Sequence, residues 1–314
     1  MSSGRGEFRL IEWLRERAKT DEQLVLGIGD DTAVWQPTAS GQILMTADML
    51  LEGVHFTIPP ATPAEVGRKA LAVNLSDIAA MAGIPLAALL TVALPRRQAV
   101  AQPGGLEFAQ QVHRGLLELA DEFDVALAGG DTNTWNGPLV ISVTLLGEVV
   151  QPGPVRRSGA KPGDWIMVTG SLGGSLAGKH LRFQPRVFES QLLHHSAALH
   201  SMIDLSDGLA IDLHRILDAS GVAAIVYEDA IPISTPAQNA NDSVTPLDHA
   251  LGDGEDFELL FTVEERDGQR MLNDPPTKVL LSRIGTILEG NGCEIEDSSG
   301  NRRALPPHGW EHGF

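Results

Sequence analysis

The segment Val125-Ala-Leu-Ala-Gly-Gly-Asp-Thr132 joins four apolar residues to a glycine turn that carries a carboxylate. Residues 106–123, which precede it, repeat apolar side chains at helical spacing, and residues 139–149, which follow it, have the pattern of a strand. Strands that alternate with helices in this way predict an α/β or α+β fold.

The same alternation continues on both sides of this segment. Thr62-Pro63-Ala64-Glu65 has the pattern of a helix start, with Thr as N-cap and Glu completing a capping box. That helix is predicted to end at Gly83. Residues 151–164 are rich in Pro and Gly and predict a boundary between two domains, 1–150 and 151–314. Further predicted elements are strands at 86–94, 165–169, 223–226 and 257–263 and a helix at 209–217.

The composition excludes several classes of partner. The chain has 314 residues, of which 43% are hydrophobic, and a formal net charge of −18. Nucleic acid and anionic membranes reward clustered Lys and Arg, so neither is expected as a partner. The sequence contains no apolar run long enough for a bilayer, and the N-terminus lacks the apolar core of a secretory signal. Cys293 is the only cysteine, which excludes an internal disulfide, and we expect a cytoplasmic location.

Five short segments share one pattern: an apolar stretch, a turn of small residues, and one or two carboxylates. They are Gly27-Ile-Gly-Asp-Asp31, Thr46-Ala-Asp48, Asn74-Leu-Ser-Asp77, Gly129-Gly-Asp131 and Asp204-Leu-Ser-Asp-Gly208. Mg²⁺ takes hard oxygen ligands, typically one or two carboxylates together with substrate phosphates. Each segment alone also fits an ordinary turn. As a set, they predict a site in which several Mg²⁺ ions hold ATP against an acceptor.

Other motifs carry weaker signals. Residues 173–179 match the phosphate-binding pattern G-x-x-x-x-G-K, but His180 follows where that loop needs Ser or Thr for Mg²⁺, so we interpret the segment as a Gly-rich turn opening a helix. Surface or packing roles are expected for His194, His195 and His200, which lack a partner motif. Cys293 has no adjacent His or basic cluster, and a nucleophilic role is not expected.

Three positions stay open on residue chemistry alone. The basic pair Arg156-Arg157 suits either an exposed linker or a bound phosphate. His55 suits either a packed strand or a ligand contact. Trp310 suits either an anchor for the end of the chain or a stacking surface for a cationic or aromatic ligand.

Taken together, the acidic segments and their neighbours resemble the thiamine-monophosphate kinase family. The motifs are Gly27-Ile-Gly-Asp-Asp-Thr-Ala-Val34, Thr46-Ala-Asp-Met-Leu-Leu-Glu-Gly-Val-His-Phe56, Asn74-Leu-Ser-Asp-Ile-Ala-Ala-Met-Ala-Gly83, Gly129-Gly-Asp-Thr132, Asp204-Leu-Ser-Asp-Gly-Leu209 and Gly254-Glu-Asp-Phe-Glu-Leu259. One of them alone is a weak signal, whereas all six in the family's order are specific.

The resemblance implies ATP-dependent conversion of thiamine monophosphate to thiamine diphosphate by direct in-line phosphoryl transfer with several Mg²⁺ ions. It also implies a homodimer in which N-terminal mixed-sheet domains pair, each followed by a C-terminal α/β domain. Implied Mg²⁺ ligands are Asp30, Thr46, Asp48, Asp77, Asp131, Asp204 and Asp207, of which metal-bound Asp48 and Asp131 would assist transfer. Implied ATP contacts are Gly130, Asp131, Arg157 and Ser206, and implied thiamine phosphate contacts are His55, Glu255 and Trp310.

Three positions depart from the family pattern. Ala47 stands where a Thr is usual, so a hydroxyl is missing there. His113 stands where a Tyr is usual near the nucleotide, and we carry it as an ATP contact in that place. Asp253 replaces a usual Gly before Gly254.

The chemistry of such a transfer fits the residue types present. The acceptor phosphate is already anionic at neutral pH and needs no general base, so catalysis consists of positioning and charge neutralisation. Many aspartates, without a convincing Ser-His or Cys-His pair, suit that task. Two alternatives stay open: another ATP-dependent enzyme of the same superfamily, such as aminoimidazole ribonucleotide synthetase, or a non-catalytic protein that binds divalent cations. Cys293 fits the reactive cysteine of neither selenophosphate synthetase nor the hydrogenase-maturation protein of that superfamily.

Overall fold

The structure, a computed structural model, describes residues 13, 14, 16–18, 22–26, 34, 35, 37, 41–96 and 104–310. The chain divides into two compact units, Met1–Ile78 with Ile84–Val149, and Ala79–Gly83 with Val150–Phe314. Both units combine sheet and helix, which confirms the predicted α+β class. The roles assigned to domains 1–150 and 151–314 stay predictions.

The first unit is built on a four-stranded sheet. Its strands are β3 (Ile43–Leu51), β4 (Ile84–Pro95), β5 (Ala126–Trp135) and β6 (Val140–Glu148), in the order β3-β6-β4-β5. Only β4 and β5 are parallel, and helix α2 (Gly105–Glu122) makes the crossover between them. Helix α1 (Pro63–Ala80) links β3 to β4. A short antiparallel pair, β1 (Leu24–Leu26) and β2 (Val34–Trp35), also belongs to this unit.

The two faces of this sheet differ in burial. Along β6, Ile141, Val143 and Leu145 are fully buried and alternate with partly exposed residues. Along β3, Met45 and Met49 are 75% and 56% exposed, on the face opposite to buried neighbours. Because successive strand residues point to opposite faces, one face of the sheet forms the core and the other is open in the single chain.

Glycines allow helices α1 and α2 to pack closely. A Cβ atom on Gly67 would lie 1.8 Å from the carbonyl oxygen of Val112, and one on Gly115 would lie 1.8 Å from that of Ala64. No side chain fits at either position without moving a helix backbone. The helices therefore meet backbone to backbone.

The predicted start of α1 is confirmed. The Glu65 backbone N–H donates to Thr62 Oγ1 at 3.2 Å, and the Thr62 backbone N–H donates to Glu65 Oε2 at 2.9 Å. This reciprocal pair satisfies two backbone donors that the helix itself leaves unpaired.

The second unit is built on a seven-stranded sheet of order β13-β12-β9-β11-β7-β10-β8, in which only the β9–β12 pair is parallel. Its strands are β7 (Trp165–Thr169), β8 (Leu199–Asp204), β9 (Ala223–Tyr227), β10 (Leu259–Val263), β11 (Leu281–Leu288), β12 (Gly292–Glu296) and β13 (Arg302–Ala304). Its helices are α3 (Lys179–Arg182), α4 (Val187–Ser196), α5 (Leu209–Ser220), α6 (Thr235–Gln238), α7 (Pro246–Gly252) and α8 (Glu265–Asn273). Among the described residues, none of the helices has the length and apolarity needed to cross a membrane.

One predicted turn proves to be strand. Gly129, Gly130 and Asp131 lie inside β5, where Gly130 pairs with Leu90 and Asp131 with Thr91. A Cβ on Gly130 would lie 1.8 Å from the Leu90 carbonyl oxygen. The glycine is needed for close approach of the neighbouring strand, so strand pairing overrides the turn preference of this segment.

Candidate active site

Three of the predicted metal ligands meet in the first unit. Thr46 and Asp48 alternate along β3 with exposed neighbours and are themselves partly buried, while Asp77 lies on α1. Thr46 Oγ1 donates a hydrogen bond to Asp77 Oδ2, and the carboxyl groups of Asp48 and Asp77 share a second hydrogen bond. Residues 29 to 31 positions apart in the chain thus form one polar group.

Electrostatics make this group a candidate cation site. Burial, and then the charge of Asp77, raise the pKa of Asp48 from its ordinary value of 3.8 to about 7. Two carboxylates this close repel each other at neutral pH unless they share a proton or a cation lies between them. With the Thr46 hydroxyl they form an all-oxygen donor set, which suits Mg²⁺. Over the described ranges, however, no three His, Cys, Asp or Glu side chains group as a metal site.

Asp131 does not join this group within the first unit. It lies on β5, three strands from β3, which corresponds to about 14 Å across the sheet. It shares its row with exposed Thr91, whereas Asp48 shares its row with buried Val143. The two carboxylates therefore lie toward opposite faces. Asp131 is exposed, and Asn133 Nδ2 donates to its Oδ2 at 3.1 Å.

His55, a predicted substrate contact, is oriented by the backbone. The Leu51 N–H donates to His55 Nδ1 at 3.0 Å, so in the neutral ring the proton resides on Nε2. Lys69, which is fully buried, donates from Nζ to the His55 carbonyl oxygen at 2.9 Å. The turn that carries His55 is thus held at both the ring and the backbone of this residue.

His113 has a different position from the one expected of an ATP contact. It is 2% exposed, and its Nδ1 lies 2.7 Å from the carbonyl oxygen of Ala109, one turn earlier on α2. Burial lowers the pKa of His113, which keeps the ring neutral. The structure makes it a packed helix residue. Asp30, another predicted ligand, lies outside the described residues.

In the second unit, most of the predicted site residues gather on three touching segments. Asp204 ends β8, and Ser206 and Asp207 form the turn that follows it. The Glu255 backbone N–H donates to the Ser206 carbonyl oxygen at 2.7 Å, and the Trp310 backbone N–H donates to the Asp207 carbonyl oxygen at 2.9 Å. Backbone hydrogen bonds therefore place Glu255 and Trp310, whose indole is half-exposed, beside the Ser206–Asp207 turn.

Asp212 supports this turn and was missed by the sequence interpretation. Its Oδ2 accepts the backbone N–H groups of Asp207 at 3.1 Å and Gly208 at 3.2 Å, at the start of α5. Burial raises the pKa of Asp212 to about 6, although Arg215 beside it favours the charged form. Arg215 also binds Asp207 Oδ2 at 2.6 Å. An acidic residue in the first turn of a helix was the available signal.

Arg157 lies apart from these segments. Its carbonyl oxygen accepts a hydrogen bond from Ser220 Oγ at 3.2 Å, at the last residue of α5. The Ser206–Asp207 turn precedes the first residue of that helix, and twelve helical residues span about 18 Å. The structure thus leaves the Arg157 side chain exposed at the far end of α5.

The glycine-rich segment 173–179 is confirmed as a turn that opens a helix. A short 3₁₀ turn, Ser175–Ala177, precedes α3. The Gly173 N–H donates to the Asp256 carboxylate and the Gly174 N–H to Asp253 Oδ2, while Lys179 Nζ binds Glu258 Oε1 at 3.0 Å. The groups that would hold phosphate in a nucleotide-binding loop bind carboxylates of the same chain instead.

Two residues of the adjoining loop have unusual backbone conformations. Glu255 and Phe257 have φ angles of 57° and 50°. Left-handed conformations of non-glycine residues cost roughly 1–3 kcal/mol each and persist where the surroundings fix them. The Phe257 ring stacks on Phe183 with ring centroids 4.1 Å apart. The loop that carries Glu255 is therefore held in a single, costly shape.

Comparison with known proteins relates both units to one family. The AIR synthase related protein N-terminal and C-terminal domain families match residues 29–149 and 161–298. The thiamine-monophosphate kinase of Rhodopirellula baltica is 39% identical over 317 residues, covering 98% of this chain and 97% of its own.

Solved structures agree with this relationship. The crystal structure of thiamine-monophosphate kinase from Stenotrophomonas maltophilia is 37% identical with a TM-score of 0.80, and the match covers 92% of this chain and 96% of that one. AaThiL complexed with AMPPCP and TMP is 28% identical with a TM-score of 0.75, and the match covers 100% and 99%. Identity at this level over nearly the full length of the chains establishes the family: this chain is a kinase and belongs to the thiamine-monophosphate kinases.

Proposed function

We propose that this kinase transfers the γ-phosphoryl group of ATP to the phosphate of thiamine monophosphate, forming thiamine diphosphate and ADP. The near full-length relatives support this activity, as does AaThiL in complex with TMP and the ATP analogue AMPPCP. The observation on this chain that carries the proposal is the Asp48–Asp77 pair with the Thr46 hydroxyl. That arrangement suits a divalent cation and has no role in acid–base catalysis of this reaction.

The acceptor of this reaction is a phosphate oxygen that is already anionic, so no residue has to remove a proton. The residues instead bring two polyanions together. His55 Nε2–H donates to the acceptor phosphate. Glu255 attracts the cationic thiazolium of the substrate, and the indole face of Trp310 stacks on this thiazolium. Predicted ATP contacts are Gly130, Asp131, Arg157 and Ser206.

Thr46, Asp48 and Asp77 of the first unit would hold Mg²⁺, as would Asp131 and, in the second unit, Asp204 and Asp207. Mg²⁺ held by these residues would neutralise phosphate charge and so favour in-line transfer. Asp207 is a special case, because Arg215 already neutralises it. A cation there competes with a guanidinium.

We also propose that two copies pair through the open face of the four-stranded sheet, as the family resemblance implies. Exposed Met45, Met49 and Leu89 (42%) form an apolar surface there. In light scattering after size-exclusion chromatography, Met45→Glu combined with Met49→Glu is expected to give monomers. Leu176→Glu, at a 64% exposed site in the second unit, is the matched control and should leave a dimer. A monomeric unaltered protein would contradict the pairing.

The buried thiol of Cys293 is consistent with a cytoplasmic location.

The activity is tested by incubating the protein with ATP, MgCl₂ and thiamine monophosphate and separating the products by chromatography. Thiamine diphosphate and ADP should form in equal amounts, and ADP formation should depend on the acceptor. Asp48→Asn and Asp131→Asn should abolish turnover while circular dichroism and melting remain those of a folded protein. Asp121→Asn, at an exposed site on α2, is the control for loss of one charge. Mg²⁺ binding without acceptor-dependent ADP would favour the non-catalytic alternative.

A further inference from the structure

The loop between α7 and β10 carries both partly exposed and buried acidic residues. Glu255 is partly exposed, whereas Asp256 and Glu258 are 1% and 2% exposed. Buried carboxylates are rare unless hydrogen bonds or cations satisfy them. Their partners show what this loop is attached to.

Asp256 is held by the glycine turn of residues 173–175. The Gly173 N–H donates to both of its carboxylate oxygens, at 3.0 and 2.9 Å, and the Ser175 hydroxyl donates to Oδ1. Gly173 and Gly174 have φ angles of 82° and 68°, and a Cβ on Gly173 would lie 2.7 Å from the Ala250 backbone nitrogen. Successive N–H groups in such a turn form a concave anion site. Here the anions are carboxylates of the loop between α7 and β10, since the Gly174 N–H binds Asp253.

Glu258 anchors the other end of the loop. Its two oxygens accept from Arg186 Nε at 2.7 Å and Nη2 at 2.8 Å, a bidentate pair, and also from Lys179 Nζ at 3.0 Å. The Thr169 hydroxyl donates to Oε2 at 2.8 Å. Charge-assisted bidentate pairs fix orientation as well as position.

Directly before the first of these anchors, Glu255 adopts a left-handed backbone conformation. Its N–H binds the Ser206 carbonyl oxygen, and the Phe257 N–H binds that of Leu205 at 2.8 Å. The two consecutive acidic residues thus differ in environment: the Asp256 side chain binds the glycine turn, whereas Glu255 stays partly exposed and its backbone binds Ser206. A conformation of this kind depends on being held by its surroundings.

We propose that Asp256 is a positioning residue for the thiamine phosphate. Its carboxylate, bound by the Gly173–Ser175 turn, fixes the backbone of Glu255 and so aims the Glu255 carboxylate at the substrate cation. The inference rests on the proposed function, in which Glu255 contacts thiamine phosphate. It also gives a role to residues 173–179, which resemble a phosphate-binding loop: their turn binds a carboxylate of the same chain.

The test measures KM and kcat separately for thiamine monophosphate and ATP. Asp256→Asn should raise the KM for thiamine monophosphate on the order of tenfold, the size of one lost charge-assisted hydrogen bond, with kcat and the KM for ATP within twofold of the unaltered protein. Ser175→Ala, a milder change, should shift the same constant in the same direction. Ser201→Ala is the matched control, because it removes a fully buried hydroxyl, bonded to Thr262 at 2.7 Å, in the same sheet.

A double-mutant cycle separates positioning from a general loss of structure. If Asp256 acts through Glu255, the Asp256→Asn effect on the KM for thiamine monophosphate disappears in a Glu255→Gln background. Additive effects, an equal rise in the KM for ATP, or the same shift in Ser201→Ala would overturn the inference. If the unaltered protein forms no thiamine diphosphate, the proposed function fails, and the positioning role fails with it. An active protein whose Asp256→Asn variant keeps its KM refutes the positioning role alone.

Discussion

Replacing Asp48 with Asn should stabilise the metal-free protein. Burial and the neighbouring charge of Asp77 raise the pKa of Asp48 from 3.8 to about 7, so at pH 5 to 7 the folded protein retains a proton that the unfolded chain has lost. The stability that this proton contributes to the folded protein is fully present below pH 3.8. It falls as the pH rises and is entirely lost above about pH 7. Asn keeps the shape and the hydrogen bond without the charge.

The size of the effect follows from the shift in pKa. A shift of about three units corresponds to about 4 kcal/mol at 1.36 kcal/mol per unit. Because the pair is only partly buried and water screens it, we expect about half of that, about 2 kcal/mol at pH 8. Since the unfolding entropy is about 2.1 cal/mol/K per residue over 314 residues, that raises the melting temperature by roughly 3 °C. At pH 5.5, about halfway between the two pKa values, the gain should be about half as large.

Differential scanning calorimetry in EDTA at pH 5.5 and pH 8, both above the pI of 4.8, measures this gain. Asp121→Asn, which removes an exposed charge on α2, should change the melting temperature by less than about 1 °C. Saturating MgCl₂ should raise the melting temperature of the unaltered protein and abolish the advantage of the Asp48→Asn variant. The reasoning is refuted if this variant melts at or below the unaltered protein in EDTA at pH 8, or if its gain is equal at the two pH values.

Three other substitutions test the packing and the ion pairs. Gly67→Ala should lower the free energy of unfolding by about 1–3 kcal/mol in urea titrations, because the new Cβ meets the Val112 carbonyl oxygen. Helix propensity alone would raise that free energy by roughly 1 kcal/mol. A stabilised variant would therefore contradict the close packing of the two helices. Asp212→Ala should cost about 1–3 kcal/mol by thermal melting, since a part-buried and a buried N–H group before α5 lose their acceptor. An unchanged melting temperature would argue against a stabilising role of these two hydrogen bonds. Glu258→Gln should cost about 3–5 kcal/mol, because it leaves the cations of Lys179 and Arg186 partly buried without their anion. Glu296→Gln, which breaks the more exposed pair with Arg302, should cost less than about 1 kcal/mol. Equal urea midpoints for the two variants would refute this distinction between buried and exposed pairs.

Local chemistry made several elements predictable. The capping box at Thr62 and Glu65 depends on residues three positions apart, so the sequence contains everything needed to predict the start of α1. Strand β7 likewise has the limits predicted for residues 165–169, because a short apolar run between turn signals suits a buried strand. The Gly129–Asp131 segment was wrongly predicted as a turn, since only the neighbouring strand reveals why Gly130 is there.

The candidate site shows the same division. Residue types and motif order pointed to Asp48 and Asp77, but their hydrogen bond and the raised pKa of Asp48 depend on the packing of α1 against β3. Asp212 was missed, because an acidic residue in the first turn of a helix is common and only its acceptor geometry marks it out. His113 was expected near a nucleotide, and burial in α2 places it in the core.

The acidic segments, the periodicity of the helices and strands, and the match to the phosphate-loop pattern are all properties of short stretches, and the sequence by itself determined them. Tertiary structure decided which groups these stretches bind. The glycine turn at Gly173 bears the pattern of a phosphate site, yet the Gly173 N–H and the Ser175 hydroxyl hold Asp256, a residue 83 positions from Gly173. A sequence motif specifies which donors are available, whereas the fold brings together the partner that occupies them.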